Sequence, residues 1–143
     1  MTLKNLQIET RLIFFSFFII MVSIIVIDGL WLSLMLKCFY VPNIGHLLND
    51  VMAIRPAVLF YILYGIGINT FVVIPALKNN TEYHEILLKG LLFGMVTYGT
   101  YDLTNQVTLK NWPWIVTIVD IAWGSCLVGA VSLISTFVSR YFW

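Results

Sequence analysis

Charge is scarce in this chain, with 8 Lys and Arg and 7 Asp and Glu among 143 residues and a net charge of +1. That supply cannot cover the surface of a soluble domain of this length. The near-zero net charge also argues against a nucleic-acid partner and gives no basic patch for anionic lipid. The two cysteines, Cys38 and Cys126, suit neither a disulfide framework nor a zinc pattern. Both are expected to pack as small apolar residues, Cys38 at the end of the first apolar run and Cys126 midway along the last. No Gly-rich phosphate loop, His-x-x-x-His pair or nucleophile elbow occurs, so no cofactor and no metal is expected.

What fills the chain instead is apolar. Hydrophobic residues make up 60% of it, and its mean hydropathy is +0.92. The fold class that follows is an all-α integral membrane protein, a single membrane domain over residues 1–143. Four spans are predicted at about 12–36, 56–77, 86–107 and 113–138, each able to cross about 30 Å of hydrocarbon at 1.5 Å per residue. The first run is too long for a signal core and reads as a span that stays. Pro56 and Pro113 fall at helix starts, where the missing amide donor is tolerated; Pro75 helps end the second span. Thr81 is a candidate N-cap for the third helix, with Glu82 and Glu85 favourable beside it.

Lys4, Arg11, Lys78, Lys89 and Arg140 lie on one side of this arrangement; Lys37, Arg55 and Lys110 lie on the other. The bias predicts an up-down four-helix bundle with both termini cytoplasmic. Phe39, Tyr40, Trp112 and Trp114 then read as an outer aromatic belt, and Tyr141 and Trp143 as an inner one. In the first loop Ile44, Leu47, Leu48 and Val51 recur at helical spacing, opposite His46, Asn49 and Asp50. That pattern predicts a short interfacial helix capped by Asn43.

Three carboxyl groups stand inside the spans: Asp28, Asp102 and Asp120. Counting from the helix ends puts them at about 12, 8 and 10 Å below the outer edge, effectively one level. A charged residue at the bilayer centre costs about 2.5–3.5 kcal/mol on insertion scales, so three at one depth point to a shared polar site. Helix 3 supplies Tyr98, Tyr101, Asp102 and Asn105 along one stripe, continued inward by Gly90 and Gly94, which allow close helix contact. Residues 97–106 are so polar that helix 3 is expected at the centre of the bundle. Helices 1 and 4 each carry Asp-x-x-Trp, Asp28 to Trp31 and Asp120 to Trp123, with acid and indole on one face. Opposite helix directions place Trp31 outward of its acid and Trp123 inward, so the motifs do not read as a simple duplicated half-site. Ala122, Cys126 and Ala130 offer a small-residue seam on helix 4. Tyr61 and Tyr64 reach a similar depth from helix 2, and Arg55 at its outer end is a cation able to reach down.

Several segments together are similar to one family. They are Ile27-Asp28-Gly29-Leu30-Trp31-Leu32, Gly45-His46-Leu47-Leu48 and Arg55-Pro56-Ala57-Val58-Leu59-Phe60-Tyr61. Tyr101-Asp102-Leu103-Thr104-Asn105, Thr108-Leu109-Lys110 and Trp112-Pro113 leading to Val119-Asp120-Ile121-Ala122-Trp123-Gly124 are the most specific. The chain resembles, over nearly its whole length, the predicted membrane proteins grouped as domain of unknown function 2177. The resemblance implies a compact bacterial four-helix inner-membrane protein and transfers no catalytic assignment.

Three functional readings follow from the residues. The first is a pocket open to the outer face that binds a small polar ligand, an ion or a lipid headgroup, as part of a transporter that would require a homo-oligomer. The candidate ligand-binding residues are Asp28, Trp31, His46, Arg55, Tyr61, Tyr98, Tyr101, Asp102, Asn105, Asp120 and Trp123. The second is a lipid-modifying enzyme with a carboxylate as acid or base and Arg55 or His46 on the headgroup. The third is a structural or assembly subunit whose buried acids only hold the bundle together.

Overall fold

The structure is a computed structural model that describes residues 3–142, with side chains from residue 9 onward; Trp143 and the side chain of Lys4 lie outside the described residues. The described chain is helical apart from short connections and contains no strand. Helix α1 (Leu3–Met35) continues through a π-helical turn (Leu36–Tyr40), a short α2 (Val41–Ile44) and a 3-10 turn (Gly45–Leu47). Helix α3 (Ile54–Ile68) passes through a second π-turn (Asn69–Val73) into α4 (Ile74–Lys78). Helices α5 (Tyr83–Thr108) and α6 (Trp114–Phe142) complete the chain. Three stretches are long and apolar enough to cross a membrane: Glu9–Leu47, Ile54–Lys78 and Trp114–Phe142. Helix α5 has the length, at 26 residues, but its polar C-terminal half dilutes its apolar character.

The first loop is helical as far as Leu47. From the π-turn the chain continues through α2, with Pro42 in its first turn, and the 3-10 turn to Leu47 before the backbone becomes extended at Leu48. Ile44 turns inward, whereas Leu47, Leu48 and Val51 are exposed and form no common buried face. Asn43 does not cap; its Nδ2 donates to the Phe39 carbonyl inside the helix at 2.8 Å. Thr81 does not cap α5 either, because Glu82 holds that position, and the Thr81 carbonyl instead accepts from Arg140 Nη2 at 2.7 Å. Pro75 does not end the helix: the wide turn Asn69–Val73 immediately precedes it, and α4 continues to Lys78. Such a turn accommodates a ring that lacks an amide donor and crowds the preceding turn.

The central helix is α6, not helix 3. Its buried residues include Val116, Asp120, Gly124, Leu127, Val128, Val131, Ser132 and Ser135, and it packs against α1, α4 and α5. Leu127, Val128 and Val131 meet Ile20 and Ile24 of α1 and Tyr64 and Ile68 of α3 in the main apolar core. Helix α5 packs on α6 and leaves Leu92, Val96, Leu103 and Val107 exposed on its other side. Its polar half can face outward because its hydroxyls are satisfied locally. Thr100 donates to the Val96 carbonyl at 2.6 Å, and Thr108 to the Thr104 carbonyl at 2.8 Å.

Gly90 and Gly94 do make the close approach their spacing predicts. A Cβ on Gly94 would lie 2.2 Å from the Gly124 carbonyl oxygen, and one on Gly90 would lie 2.9 Å from the Gly129 Cα. The opposing surface is thus Gly124, Val128 and Gly129, not the Ala122–Cys126–Ala130 stripe. Ala122 and Cys126 are exposed, and Cys38 is exposed too, so neither cysteine packs in the interior.

A second tie joins three helices near the other end. Ser16 Oγ donates to Asn69 Oδ1 at 2.8 Å, Asn69 Nδ2 donates to the Ile13 carbonyl at 3.0 Å, and Ser135 Oγ donates to the Ser16 carbonyl at 3.1 Å. Together with Asp28–Trp123 and Tyr40–Asp120, these bonds pair rising α1 numbers with falling α6 numbers, so the two helices are antiparallel.

Candidate functional site

Antiparallel packing decides what the two Asp-x-x-Trp motifs do. Trp31 lies nearly one turn from Asp28 toward the C-terminus of α1, and Asp120 lies the same step from Trp123 toward the N-terminus of α6. Each acid therefore comes level with the other helix's indole. Trp123 Nε1 donates to Asp28 Oδ1 at 3.0 Å. Trp31 Nε1 donates to Tyr40 Oη at 3.1 Å, and Tyr40 Oη donates to Asp120 Oδ1 at 2.5 Å. Between the acids the Trp31 and Trp123 rings stack, with centroids 4.1 Å apart and planes 8° from parallel. Trp123 thus serves Asp28 directly, whereas Trp31 reaches Asp120 only through the Tyr40 hydroxyl.

Helix α3 adds the third wall. Tyr61 Oη donates to Asp28 Oδ2 at 2.6 Å, so both Asp28 oxygens accept hydrogen bonds. Tyr64 meets Thr97 of α5 through their hydroxyls at 2.9 Å. Tyr98 lies across Gly124, where a Cβ would come 2.1 Å from its ring, and that clearance brings the phenol past α6. These groups enclose a cavity of about 460 Å³. Asp28, Trp31, Tyr61, Tyr98, Tyr101, Asp120 and Trp123 all line it, as do Tyr40, Tyr64 and Trp112. Asp28 and Asp120 are 7% and 9% exposed, and Asp120 Oδ2 accepts no hydrogen bond within the described residues. No Lys, Arg or His lines the cavity among the described residues.

Four expected members stand elsewhere. Asp102 is fully buried but does not line the cavity, whereas Tyr98, one turn earlier on α5, does. Neither of its oxygens, nor Asn105 Nδ2, finds a hydrogen-bond partner among the described residues. Arg55 and His46 are exposed and point to no carboxylate, since the chain around them is at the exposed start of α3 and the end of the first helical run. The three acids consequently do not form one donor set, and no cluster of three acidic, His or Cys side chains suited to a metal occurs among the described residues.

Two aromatic residues assigned by sequence to an outer belt belong to the site instead. Tyr40 and Trp112 are nearly buried and pack with Ile44 and Val116, while Trp114 remains exposed. The π-turn at Leu36–Tyr40 alters the phase of the helix and brings Tyr40 onto Asp120. Trp112 Nε1 donates to Thr117 Oγ1 at 3.1 Å, which fixes the indole against the start of α6. For Tyr40 the available signal was only an aromatic nine residues beyond the Trp31 of an Asp-x-x-Trp motif.

No curated protein and no solved structure matches the chain. The model of one family, described as predicted membrane protein (DUF2177), matches residues 13–137, and the chain belongs to that family.

Proposed function

We propose that this membrane protein binds a small organic ligand in the cavity between α1, α3 and α6. The observation that carries the reading is the pair of nearly buried acids, Asp28 and Asp120, that line one aromatic chamber, Asp28 held by Trp123 and Tyr61 and Asp120 by Tyr40. Burying two acids beside an enclosed volume is expensive unless the polarity serves a guest. A volume of about 460 Å³ falls in the range of small-molecule sites.

In this reading all four long helices cross the bilayer up and down, with both termini in the cytoplasm of a bacterial inner membrane. The chamber opens to the outer face beside residues 36–47. Four helices enclose a binding chamber and not a full conduit, so a transporter would take a second copy. The lipid-modifying alternative loses its support, because Arg55 and His46 stand away from both cavity acids. The assembly-subunit alternative is favoured by the satisfied oxygens of Asp28, but it gives no role to the volume beside Asp120.

Site-directed thiol labelling tests chamber and orientation together. In a chain with Cys38→Ser and Cys126→Ser, a Leu32→Cys residue on the cavity wall should react with a membrane-impermeant maleimide added outside intact cells. Reaction only from the cytoplasmic side, or only after detergent, would overturn the outward-opening chamber.

A further inference from the structure

We infer that the ligand of this cavity is an organic ammonium cation, a quaternary or aryl-substituted amine; this rests on the reading that the cavity is a binding site. Charge comes first. Two acidic side chains line the chamber and no basic side chain from the described residues does, so the only charge its lining can carry is negative. Charge–charge terms are weakly screened in a low-dielectric site, which disfavours an anionic guest and favours a cationic one. Asp120 Oδ2 is the free end of this arrangement: its residue is more than nine-tenths buried, it lines the cavity, and that oxygen accepts no hydrogen bond from the described residues.

The walls then select among cations. A hard divalent ion takes six to eight oxygen ligands, or a near-octahedral set with water. Here both Asp28 oxygens already accept from Tyr61 and Trp123, and most of the surrounding surface is aromatic. Trp31, Trp123, Tyr64 and Tyr98 present rings around the same volume as Asp120. A weakly hydrated ammonium carrying alkyl or aryl groups gains from both features, since its charge meets the carboxylate and its substituents meet ring faces. The volume is too large for bare ammonium and suits a substituted one. The stacked Trp31–Trp123 pair, 4.1 Å between centroids, gives the site an optical reporter.

The test uses the purified full chain in nanodiscs of lipid with no net charge, at constant ionic strength. Tryptophan emission is titrated with benzyltrimethylammonium, with neutral benzyl alcohol and with anionic benzenesulfonate. The expected result is a saturable change with the cation alone, weakened roughly tenfold in Asp120→Asn. The three-probe comparison on the parent chain decides the matter even if that variant fails to fold. Benzyl alcohol or benzenesulfonate saturating as tightly as the cation would overturn the cation assignment and leave the binding site standing. No saturable response to any of the three at millimolar concentration would overturn the assignment and the binding reading together.

Discussion

Trp123 of α6 donates its indole N–H to Asp28 of α1 at 3.0 Å, while its ring lies flat on Trp31, three residues along from that same aspartate. One side chain thus satisfies an acid and builds a wall. The hydrogen bond and the stack are separable by substitution. Trp123→Phe keeps an aromatic ring against Trp31 and removes the donor; Tyr61→Phe removes the other donor to Asp28. Each single change should lower stability by about 1–3 kcal/mol, as expected when a buried acceptor is left short of a partner. The double variant should be non-additive, because both donors serve one carboxylate. Equilibrium unfolding in mixed micelles measures both quantities, and strict additivity would show that Asp28 does not couple them.

The α5–α6 contact makes a sharper steric prediction. Gly94→Ala puts a methyl group 2.2 Å from the Gly124 carbonyl oxygen, a backbone atom that cannot swing aside. Overpacking of this kind costs about 1–3 kcal/mol or more, and here it must push two helices apart. Gly29→Ala, by contrast, meets nothing within 4 Å and should be neutral or slightly stabilising on a helix surface. Thermal melts followed by circular dichroism should separate the two variants clearly; equal melting temperatures would contradict the packing described.

Much of this site could be read from the chain before any coordinates. The levels of Asp28 and Asp120, the Gly90 and Gly94 approach and the facing of Tyr61 and Tyr98 all follow from 1.5 Å per residue and the helical repeat. The same counting also contains the Trp123–Asp28 pairing, since antiparallel helices bring the indole of one motif level with the acid of the other. What misled the sequence reading was treating polarity as proof of centrality. Thr100, Thr104 and Thr108 bond to carbonyls within their own helix, so α5 can sit at the side with those residues turned out. Tyr40 escaped because the π-turn at Leu36–Tyr40 breaks the periodicity on which such a reading depends. Asp102 shared the right depth with the other acids but not their direction, and depth alone cannot give direction.

That account of α5 predicts that its exposed hydroxyls are dispensable. Thr100→Val and Thr108→Val each remove only a bond to the helix's own backbone, and should shift stability by no more than about 0.5 kcal/mol. Asn69→Leu should behave differently, because it cuts the tie from α1 to the α3–α4 turn. A loss of about 0.6–2 kcal/mol is expected for interhelical bonds in membranes. The same unfolding assay ranks the three; a threonine variant as damaging as Asn69→Leu would restore α5 to the bundle centre.

The most direct measurement compares Asp120→Asn with Asp102→Asn for thermal stabilisation by benzyltrimethylammonium, in purified protein that retains its helical circular dichroism. Asp120 lines the cavity and Asp102 does not, although both are buried at similar depth. Loss of the ligand-dependent shift in Asp120→Asn, with the shift kept in Asp102→Asn, is the predicted result. Retention of the full shift in Asp120→Asn, or its loss in Asp102→Asn alone, would contradict the placement of the binding centre between α1, α3 and α6.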